Sequence, residues 1–137
     1  MKKKPHSKKS SKTLQNKIWK LCKEITRKNY GNECYTCGAK NLSGKNWQTG
    51  HMLSKAVLDP YLKYDLRVLR PQCSKCNIWN GGMGAEFHRK MIIREGQTYV
   101  DQFFRDRKFN VSSKEAYSHY ESLIHKYELI LEDLNGS

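Results

Sequence analysis

Two Cys-x2-Cys pairs bracket a single Gly-His in this chain of 137 residues, and an asparagine directly follows the second pair. In chain order these residues are Cys34, Cys37, Gly50, His51, Cys73, Cys76 and Asn77. Two thiolates separated by two residues can reach one ion from a tight turn, and four thiolates complete a tetrahedral zinc site. A redox dithiol needs only one such pair, so the two pairs favour a structural zinc ion over redox chemistry or chance.

His51 and Asn77 could carry out chemistry beside that zinc ion. Hydrolysis of a phosphodiester needs a water made nucleophilic and a cation that relieves charge on the phosphate. Histidine is suited to activating the water, and the amide oxygen of Asn77 could bind a hard divalent ion such as Mg2+ or its waters. Two simpler interpretations stay open, since a histidine at a strand end is often structural and asparagine is a preferred helix N-cap. The register of both residues with the zinc pairs favours catalysis and metal binding.

The charge of the chain points to a polyanionic partner, because a formal net charge of +13 is extreme at this length. Residues 1–31 hold eleven Lys/Arg and one acid, whereas residues 111–137 hold two Lys/Arg and five acids. No apolar run is long enough for a membrane span or a signal peptide, so we expect a reducing, cytoplasmic location. In that setting the fifth cysteine, Cys22, is expected to be a small buried hydrophobe.

The first part of the chain should form a basic arm and a basic helix. Residues 1–12 carry six lysines and almost nothing apolar, which predicts a disordered arm that either binds phosphate or only aids solubility. Residues 13–31 contain a predicted helix, capped by Thr13, whose lysines face solvent or DNA. Its inward stripe consists of Leu14, Ile18, Leu21, Cys22 and Ile25.

Residues 32–96 are expected to form the core of an α+β fold, a small zinc-bound ββα unit of the treble-clef type flanked by N- and C-terminal helices. Two short strands are predicted at residues 47–52 and 65–71, and a helix at residues 76–95 that three glycines loosen. The zinc ion would fix the start of the hairpin relative to the start of the helix, where the two candidate catalytic residues lie.

Residues 97–137 should be a helical extension. A short helix at residues 98–106 is expected to turn Tyr99, Phe103 and Phe104 inward. A capping-box sequence at residues 112–115 then begins the last helix. Its apolar residues recur at steps of four and three, namely Ala116, Tyr120, Leu123, Tyr127, Ile130 and Leu134. This heptad stripe either packs on its own domain or pairs two chains in a homodimer.

The order Cys-x2-Cys, x-His, Cys-x2-Cys-Asn and a following glycine resembles the HNH, or His-Me finger, nucleases. Over roughly residues 30–100 the chain is similar to two phage families, the endonuclease VII type of junction resolvase and the NinG (Rap) recombination nucleases. The NinG family is the preferred one. That similarity is carried by Gly50-His51, Leu62-Lys63-Tyr64, Gln72 through Asn77, Gly82, and Phe87 through Gly96.

This resemblance implies a metal-dependent, structure-selective DNA endonuclease that serves phage recombination in a bacterial host and acts on branched or junction DNA. It implies His51 as general base and Asn77 as a ligand of a catalytic Mg2+ or Mn2+ ion, with Asn80 as a second ligand. The four paired cysteines would bind structural zinc.

Two positions depart from the pattern of these nucleases. Gly50 stands where the endonuclease VII type has a metal-binding aspartate, so Asp65 or substrate phosphates would have to complete the metal shell. Val68 stands where many HNH chains have an asparagine that orients the general base through its loop.

DNA contacts are expected from the arm, the lysine face of the first helix and basic side chains near the site. The candidates are Lys17, Lys20, Lys23, Lys55, Arg67, Arg70, Lys75, Arg89 and Lys90. Contacts with phosphate give affinity and salt dependence without a base code. Trp47 and Trp79 could stack on exposed bases, but packing in the small core beside zinc is the favoured interpretation.

Three functions agree with these features. The first is a nuclease, the second is a non-catalytic zinc module that binds nucleic acid, and the third is a zinc-bound protein adaptor that uses the last helix. Only the nuclease explains why the Gly-His and the asparagine lie in register with the zinc pairs. The net charge argues against the adaptor.

Overall fold

Helices dominate this α+β fold, which contains one two-stranded sheet in the part of the chain that the structure describes. The computed structural model describes residues 8–53 and 58–136. The main elements are α1 (Ser11–Tyr30), β1 (Gln48–His51), β2 (Leu69–Gln72), α2 (Gly84–Glu95), α3 (Gln97–Arg105) and α4 (Ser113–Gly136). Among the described residues, none of the helices combines the length and the apolar character that crossing a bilayer requires.

Helix α1 begins earlier than the sequence suggests. The hydroxyl oxygen of Ser10 accepts a hydrogen bond from the Thr13 N–H at 3.1 Å, so Ser10 is the N-cap and the predicted cap at Thr13 is wrong. The predicted apolar stripe is confirmed, because all five of its residues are buried. Residues 1–7 of the predicted arm lie outside the described residues, and the backbone carbonyl of Lys9 in the rest of the arm accepts a hydrogen bond from the Tyr117 hydroxyl.

Strands β1 and β2 pair antiparallel, with Gln48 opposite Gln72 and His51 opposite Leu69. Both strands were predicted, but β2 is shorter at its start because residues 65–68 form a tight helical turn. The carboxylate of Asp65 accepts a hydrogen bond from the Arg67 N–H and stabilises that turn. The pairing brings the end of β1 next to the segment that leads into the second cysteine pair.

The helix predicted at residues 76–95 is broken in two. A single wide turn spans Lys75–Trp79, and α2 begins only at Gly84. Between them Gly81 and Gly82 adopt φ values of +62° and +87°, a left-handed conformation that glycine reaches without steric cost. The chain therefore changes direction directly after the second cysteine pair.

The last two helices close the main core. Val100 and Phe103 of α3 are fully buried, whereas Tyr99 and Phe104 pack at its edge. In α4 the heptad stripe packs within the chain, with four residues buried and Ile130 and Leu134 partly buried against the same core. A homodimer through α4 stays a prediction, and it would have to use residues off this stripe.

The capping box at the start of α4 is only half formed. The Ser112 hydroxyl accepts a hydrogen bond from the Glu115 N–H at 3.0 Å, as predicted. The Glu115 carboxylate instead accepts a hydrogen bond from the Tyr61 hydroxyl. The helix start is therefore tied to the loop that follows β1.

Replacement of Tyr127 by Phe tests how α4 is held to the core. The Tyr127 hydroxyl donates to the buried backbone carbonyl of Tyr64 at 2.5 Å, and a weaker donor, the Cys22 thiol, lies 3.7 Å from the same carbonyl. We expect Tyr127→Phe to lower the free energy of unfolding by about 1–3 kcal/mol, because the carbonyl stays buried without a strong donor. Urea unfolding measures this change.

Leu129→Ala is the matched control, since Leu129 lies on the same helix but is 53% exposed. It should change the free energy of unfolding by less than about 0.5 kcal/mol. Equal losses in the two variants would contradict the assigned role of the hydroxyl.

Candidate metal centre and adjoining cleft

The two cysteine pairs converge on one point, as predicted. Their sulfur atoms all lie within 4.8 Å of one another and could hold a metal ion such as zinc. We call this group the cysteine cluster; it consists of Cys34, Cys37, Cys73 and Cys76. Leu42, Trp47 and Met83 pack around it and form an apolar shell. The donor set of four thiols in an apolar shell fits a structural zinc ion.

Backbone hydrogen bonds hold each cysteine pair in a tight turn. In the first pair the Gly38 N–H donates to the Cys34 carbonyl at 2.9 Å. In the second pair the Asn77 N–H donates to the Cys73 carbonyl at 2.9 Å. The Tyr35 N–H also donates to the Pro71 carbonyl, so the first turn is joined directly to β2.

The thiols of the cluster differ in acidity. Burial opposes ionisation of Cys34, but hydrogen bonds from the Thr36 hydroxyl and from neighbouring backbone N–H groups outweigh it and lower the pKa of that thiol to about 6. Burial and the neighbouring thiols raise the pKa of Cys76 to about 12. A metal ion must therefore displace protons from at least part of the cluster when it binds.

His51 and Asn77 line one cleft next to the cysteine cluster. The cleft has a volume of about 590 Å³, and a smaller one of about 310 Å³ adjoins it, with both residues lining each. The larger cleft is also lined by Gln15, Asn16, Trp19, Gln48, Thr49, Lys63, Tyr64 and Ile78. The structure thus brings together the two residues that the sequence singled out as catalytic candidates.

The ring of His51 is held in one orientation. Its Nε2 lies 2.9 Å from the Lys63 carbonyl oxygen, and because that oxygen can only accept, Nε2 donates this hydrogen bond. The indole of Trp19 stacks on the ring with centroids 5.0 Å apart and planes within 9°. The carbonyl of Lys63 therefore orients the histidine, a role that many HNH chains give to an asparagine at the position of Val68. Val68 itself is buried.

Asn77 does not act as a helix cap. Its Nδ2 donates to the Gln48 side-chain oxygen at 2.9 Å, which ties the turn after the cysteine cluster to β1. This bond uses the amide nitrogen and leaves the amide oxygen as the acceptor atom. Asn80, the predicted second metal ligand, is exposed and lines neither cleft.

The cleft does not provide the carboxylates that a bound Mg2+ ion usually has. No described Asp or Glu lines either cleft. Asp65, the carboxylate proposed from the sequence as a substitute ligand, forms an ion pair with Arg67 at 2.6 Å and lines a different pocket. Asn77 alone is an incomplete shell, because Mg2+ is usually held by one or two carboxylates together with phosphates and waters. The described residues therefore do not fit a preformed catalytic metal site.

Gln72 explains why a glycine precedes His51. A Cβ atom at Gly50 would lie 1.8 Å from Oε1 of Gln72, whose side chain is fully buried. The Gln72 amide nitrogen donates to the Thr36 hydroxyl at 3.0 Å and to the Gly82 carbonyl at 2.9 Å. This amide joins the first cysteine turn to the loop after the second, and it occupies the space where an aspartate side chain would begin.

Eight of the nine predicted DNA-binding residues fall into three groups. Four are exposed at the surface, namely Lys17, Lys20, Lys23 and Lys75, and Lys17 also forms an ion pair with Glu128 at 3.6 Å. Three are held by intramolecular partners: Arg67 by Asp65 and Asp106, Arg89 by Glu86, and Lys90 by the Thr36 carbonyl. Lys55 lies outside the described residues.

Arg70 is the ninth candidate, and its prediction is wrong, because its side chain is fully buried. Its guanidinium lies over the ring of Tyr30, with its carbon 4.2 Å from the centroid, and 3.5 Å from the Glu95 carboxylate. It stabilises the core and cannot contact phosphate in this structure.

Sequence reasoning missed three residues of the cleft: Trp19, Gln48 and Lys63. Trp19 flanks the apolar stripe of α1 and lies one turn after Gln15. An aromatic residue at the edge of that stripe was the one sequence feature that could have indicated its place in the cleft. Gln48 carried no signal, and Lys63 belongs to the Leu62-Lys63-Tyr64 segment that carries the family similarity, although the role of its backbone carbonyl could not be read from the sequence.

Metal analysis tests the cysteine cluster. We expect one zinc ion per chain in the purified protein, and Cys73→Ser should lose it, because the fourth thiolate is needed to close the site. Zinc affinity should also fall as pH decreases, since protons compete for the thiolates. Metal content by mass spectrometry and competition with a chelator at several pH values measure both effects.

Cys22→Ala is the control, because Cys22 lies outside the cluster and burial raises the pKa of its thiol to about 12. This variant should keep its zinc. Equal zinc content in Cys22→Ala and Cys73→Ser would contradict the assignment.

A double-mutant cycle tests the packing of Gly50 on Gln72. Gly50→Ala should lower the free energy of unfolding by about 1–3 kcal/mol, because the new methyl group meets a buried amide. In a Gln72→Ala background the same substitution should cost less, since the obstructing amide is gone. Urea unfolding of the four chains measures the coupling.

Gly84→Ala is the matched control, because Gly84 has an ordinary φ and open space around its Cβ position. It should be neutral or slightly stabilising. An equal cost of Gly50→Ala in both backgrounds would show that Gln72 is not the obstacle.

Comparison with known proteins places this arrangement in a family. A family model described as "Bacteriophage Lambda NinG protein" matches residues 1–135. Protein ninG of Escherichia phage 933W is 33% identical over 69 residues, which is 50% of this chain and 33% of the relative. Protein ninG of Salmonella phage P22 is 32% identical over 75 residues, or 55% of this chain and 36% of the relative.

Protein ninG of Escherichia phage lambda is 32% identical over 69 residues, or 50% of this chain and 32% of the relative. The chain thus spans about a third of the length of these curated relatives. No solved structure matches it. Because the family model covers nearly the whole chain, the chain belongs to the NinG family of bacteriophage proteins.

Proposed function

We propose that this chain is an endodeoxyribonuclease of the HNH, or His-Me finger, class that cuts branched DNA of the recombination type in the cytoplasm of a bacterial host. The observation that carries the proposal is the shared cleft of His51 and Asn77 beside the cysteine cluster. The antiparallel strands, the turn after the second cysteine pair and helix α2 follow one another in the order expected of a ββα unit.

His51 is the proposed general base. Its Nδ1 would take a proton from the water that attacks the phosphate, while Nε2 keeps its hydrogen bond to the Lys63 carbonyl. That carbonyl also favours the imidazolium formed in this step, because it accepts from the ring N–H. The stacked indole of Trp19 limits rotation of the ring, so the base is oriented before the substrate binds.

Asn77 is proposed to act at the phosphate through its amide oxygen. The HNH class implies a divalent ion such as Mg2+ or Mn2+, and this chain would supply few of that ion's ligands. Substrate phosphates and waters would have to supply most of the remaining ligands.

The surface charge supports a nucleic-acid substrate. Lys17, Lys20 and Lys23 are exposed on α1, the helix that contributes Trp19 to the cleft, and Lys75 is exposed on the turn that contributes Asn77. These exposed side chains can bind phosphates, which predicts strong salt dependence and recognition by shape.

A second candidate function is a non-catalytic module that binds nucleic acid. The absence of any described carboxylate from the cleft favours it, as does the Gln72 amide in the space of the aspartate found in the endonuclease VII type. The two candidates make opposite predictions about strand cleavage.

Cleavage of a labelled four-way junction beside a matched linear duplex distinguishes them. We expect the wild-type chain to cut the junction with Mg2+ or Mn2+ added, and His51→Ala to cut it about 100- to 10,000-fold more slowly, because the general base is gone. His125→Ala is the matched control, since His125 is an exposed histidine of α4. It should cut like the wild type.

Zinc content and thermal unfolding establish that His51→Ala remains folded. Salt-sensitive binding of the junction without cutting by the wild type would reject the nuclease and support the non-catalytic module. Equal cutting by wild type and His51→Ala would reject His51 as the base.

A further inference from the structure

Ile78 and Trp79 are consecutive exposed apolar residues, an apolar pair on the turn that carries Asn77, and Ile78 lines the cleft. The side chain of Trp79 is 81% exposed and that of Ile78 is 59% exposed. The expectation that Trp79 packs in the core beside zinc is therefore wrong, whereas Trp47 does pack against the cysteine cluster. An exposed indole leaves a large apolar area in water, a feature that is common at binding sites.

The backbone under this pair is firmly held. The Asn80 N–H donates to the Lys75 carbonyl at 2.8 Å, and the Gly82 N–H donates to the Cys76 carbonyl at 2.8 Å. Cys76 itself belongs to the cysteine cluster. The indole thus extends into solvent from a turn whose position the metal centre would fix, so it would lose little backbone entropy when a ligand binds.

The residues around Ile78 and Trp79 suit a ligand that combines negative charge with an apolar face. Ile78 lines the same cleft as His51 and Asn77, and Lys63 is the only charged residue among the described residues that line it. Lys75 is exposed on the same turn as the apolar pair. A single-stranded nucleic acid has this combination of a negatively charged backbone and flat apolar bases.

We propose that Ile78 and Trp79 form a stacking platform for an unpaired nucleobase at a branch or fork of the DNA. This inference rests on the proposed function, and it identifies the feature of the substrate that is recognised. In a continuous duplex both faces of each base are already stacked on neighbours. An unpaired base has a free face, so the platform favours branched over linear DNA and places the branch next to His51.

The test is binding, measured with no divalent ion added, of the zinc-loaded full chain to a forked DNA and to a linear duplex of equal length. Trp79→Ala should bind the fork about 5- to 100-fold more weakly, the range expected for loss of one base–aromatic stack. Its affinity for the duplex should stay within about 2-fold of wild type. Trp79→Phe should retain most of the affinity for the fork, because it keeps an aromatic face.

Phe109→Ala is the matched control, since Phe109 is another aromatic residue that is 75% exposed but lies between α3 and α4, away in the chain from the turn that carries Asn77. It should bind both DNAs like the wild type. A direct readout is tryptophan fluorescence, which the fork should quench in the wild type and much less in Trp79→Phe.

Equal weakening of fork and duplex binding by Trp79→Ala would overturn the proposal, as would no weakening at all. Self-association lost in Trp79→Ala without a change in fork binding would assign the pair to a contact between chains and also overturn it. The readout is independent of cleavage. If the chain binds the fork selectively but cuts nothing, the platform is supported and the nuclease is rejected. If the chain cuts DNA but Trp79→Ala binds the fork like the wild type, the nuclease is supported and the platform is rejected.

Discussion

Closure of the cysteine cluster is the constraint on which the site depends. It joins positions 37 and 73, which are 36 residues apart in the chain, with their sulfur atoms 3.7 Å apart. A loop of that length loses considerable entropy when its ends meet, and a domain this small has a modest apolar core with which to offset the loss. A metal ion bound by the four thiols would offset it locally, at the point where β2 ends and the turn carrying Asn77 begins. The hydrogen bond from Asn77 to Gln48 then transmits that position to β1 and so to His51.

Helix α1 is as much a part of the site as the strands are. Its Trp19 stacks on His51, and its Gln15 accepts a hydrogen bond from the Tyr64 hydroxyl at 2.8 Å in the segment that orients the same histidine. Helix α4 packs along α1 and bonds to the Tyr64 carbonyl through Tyr127. The flanking helices therefore support the cleft in addition to the cysteine cluster, through Trp19 and through the segment that contains Lys63 and Tyr64.

The features that the sequence predicts well depend on short-range patterns. The stripe from Leu14 to Ile25 follows the helical period, the two cysteine pairs follow metal-ligand spacing, and the Ser112 cap follows local side-chain chemistry. The features that it misses depend on partners far along the chain. In the sequence Arg70 resembles a surface cation, but in the structure its guanidinium lies against Tyr30 and Glu95. The helix predicted from residue 76 is broken because the chain turns at Gly81 and Gly82. Asp65 was the carboxylate expected to complete the metal shell, yet it pairs with Arg67 and lines another pocket.

The contact between Gly50 and Gln72 has a consequence for how such chains can diverge. The two positions exclude each other's larger side chains, since the amide at position 72 occupies the volume into which a side chain at position 50 would grow. An aspartate cannot enter at position 50 by a single codon change without a clash, and loss of the glutamine first removes a buried link between Thr36 and Gly82. A larger side chain at position 50 therefore requires either a shorter side chain at position 72 or movement of the glutamine amide away from its two hydrogen-bond partners. The residue before the histidine and the residue before the second cysteine pair should accordingly co-vary across homologous sequences.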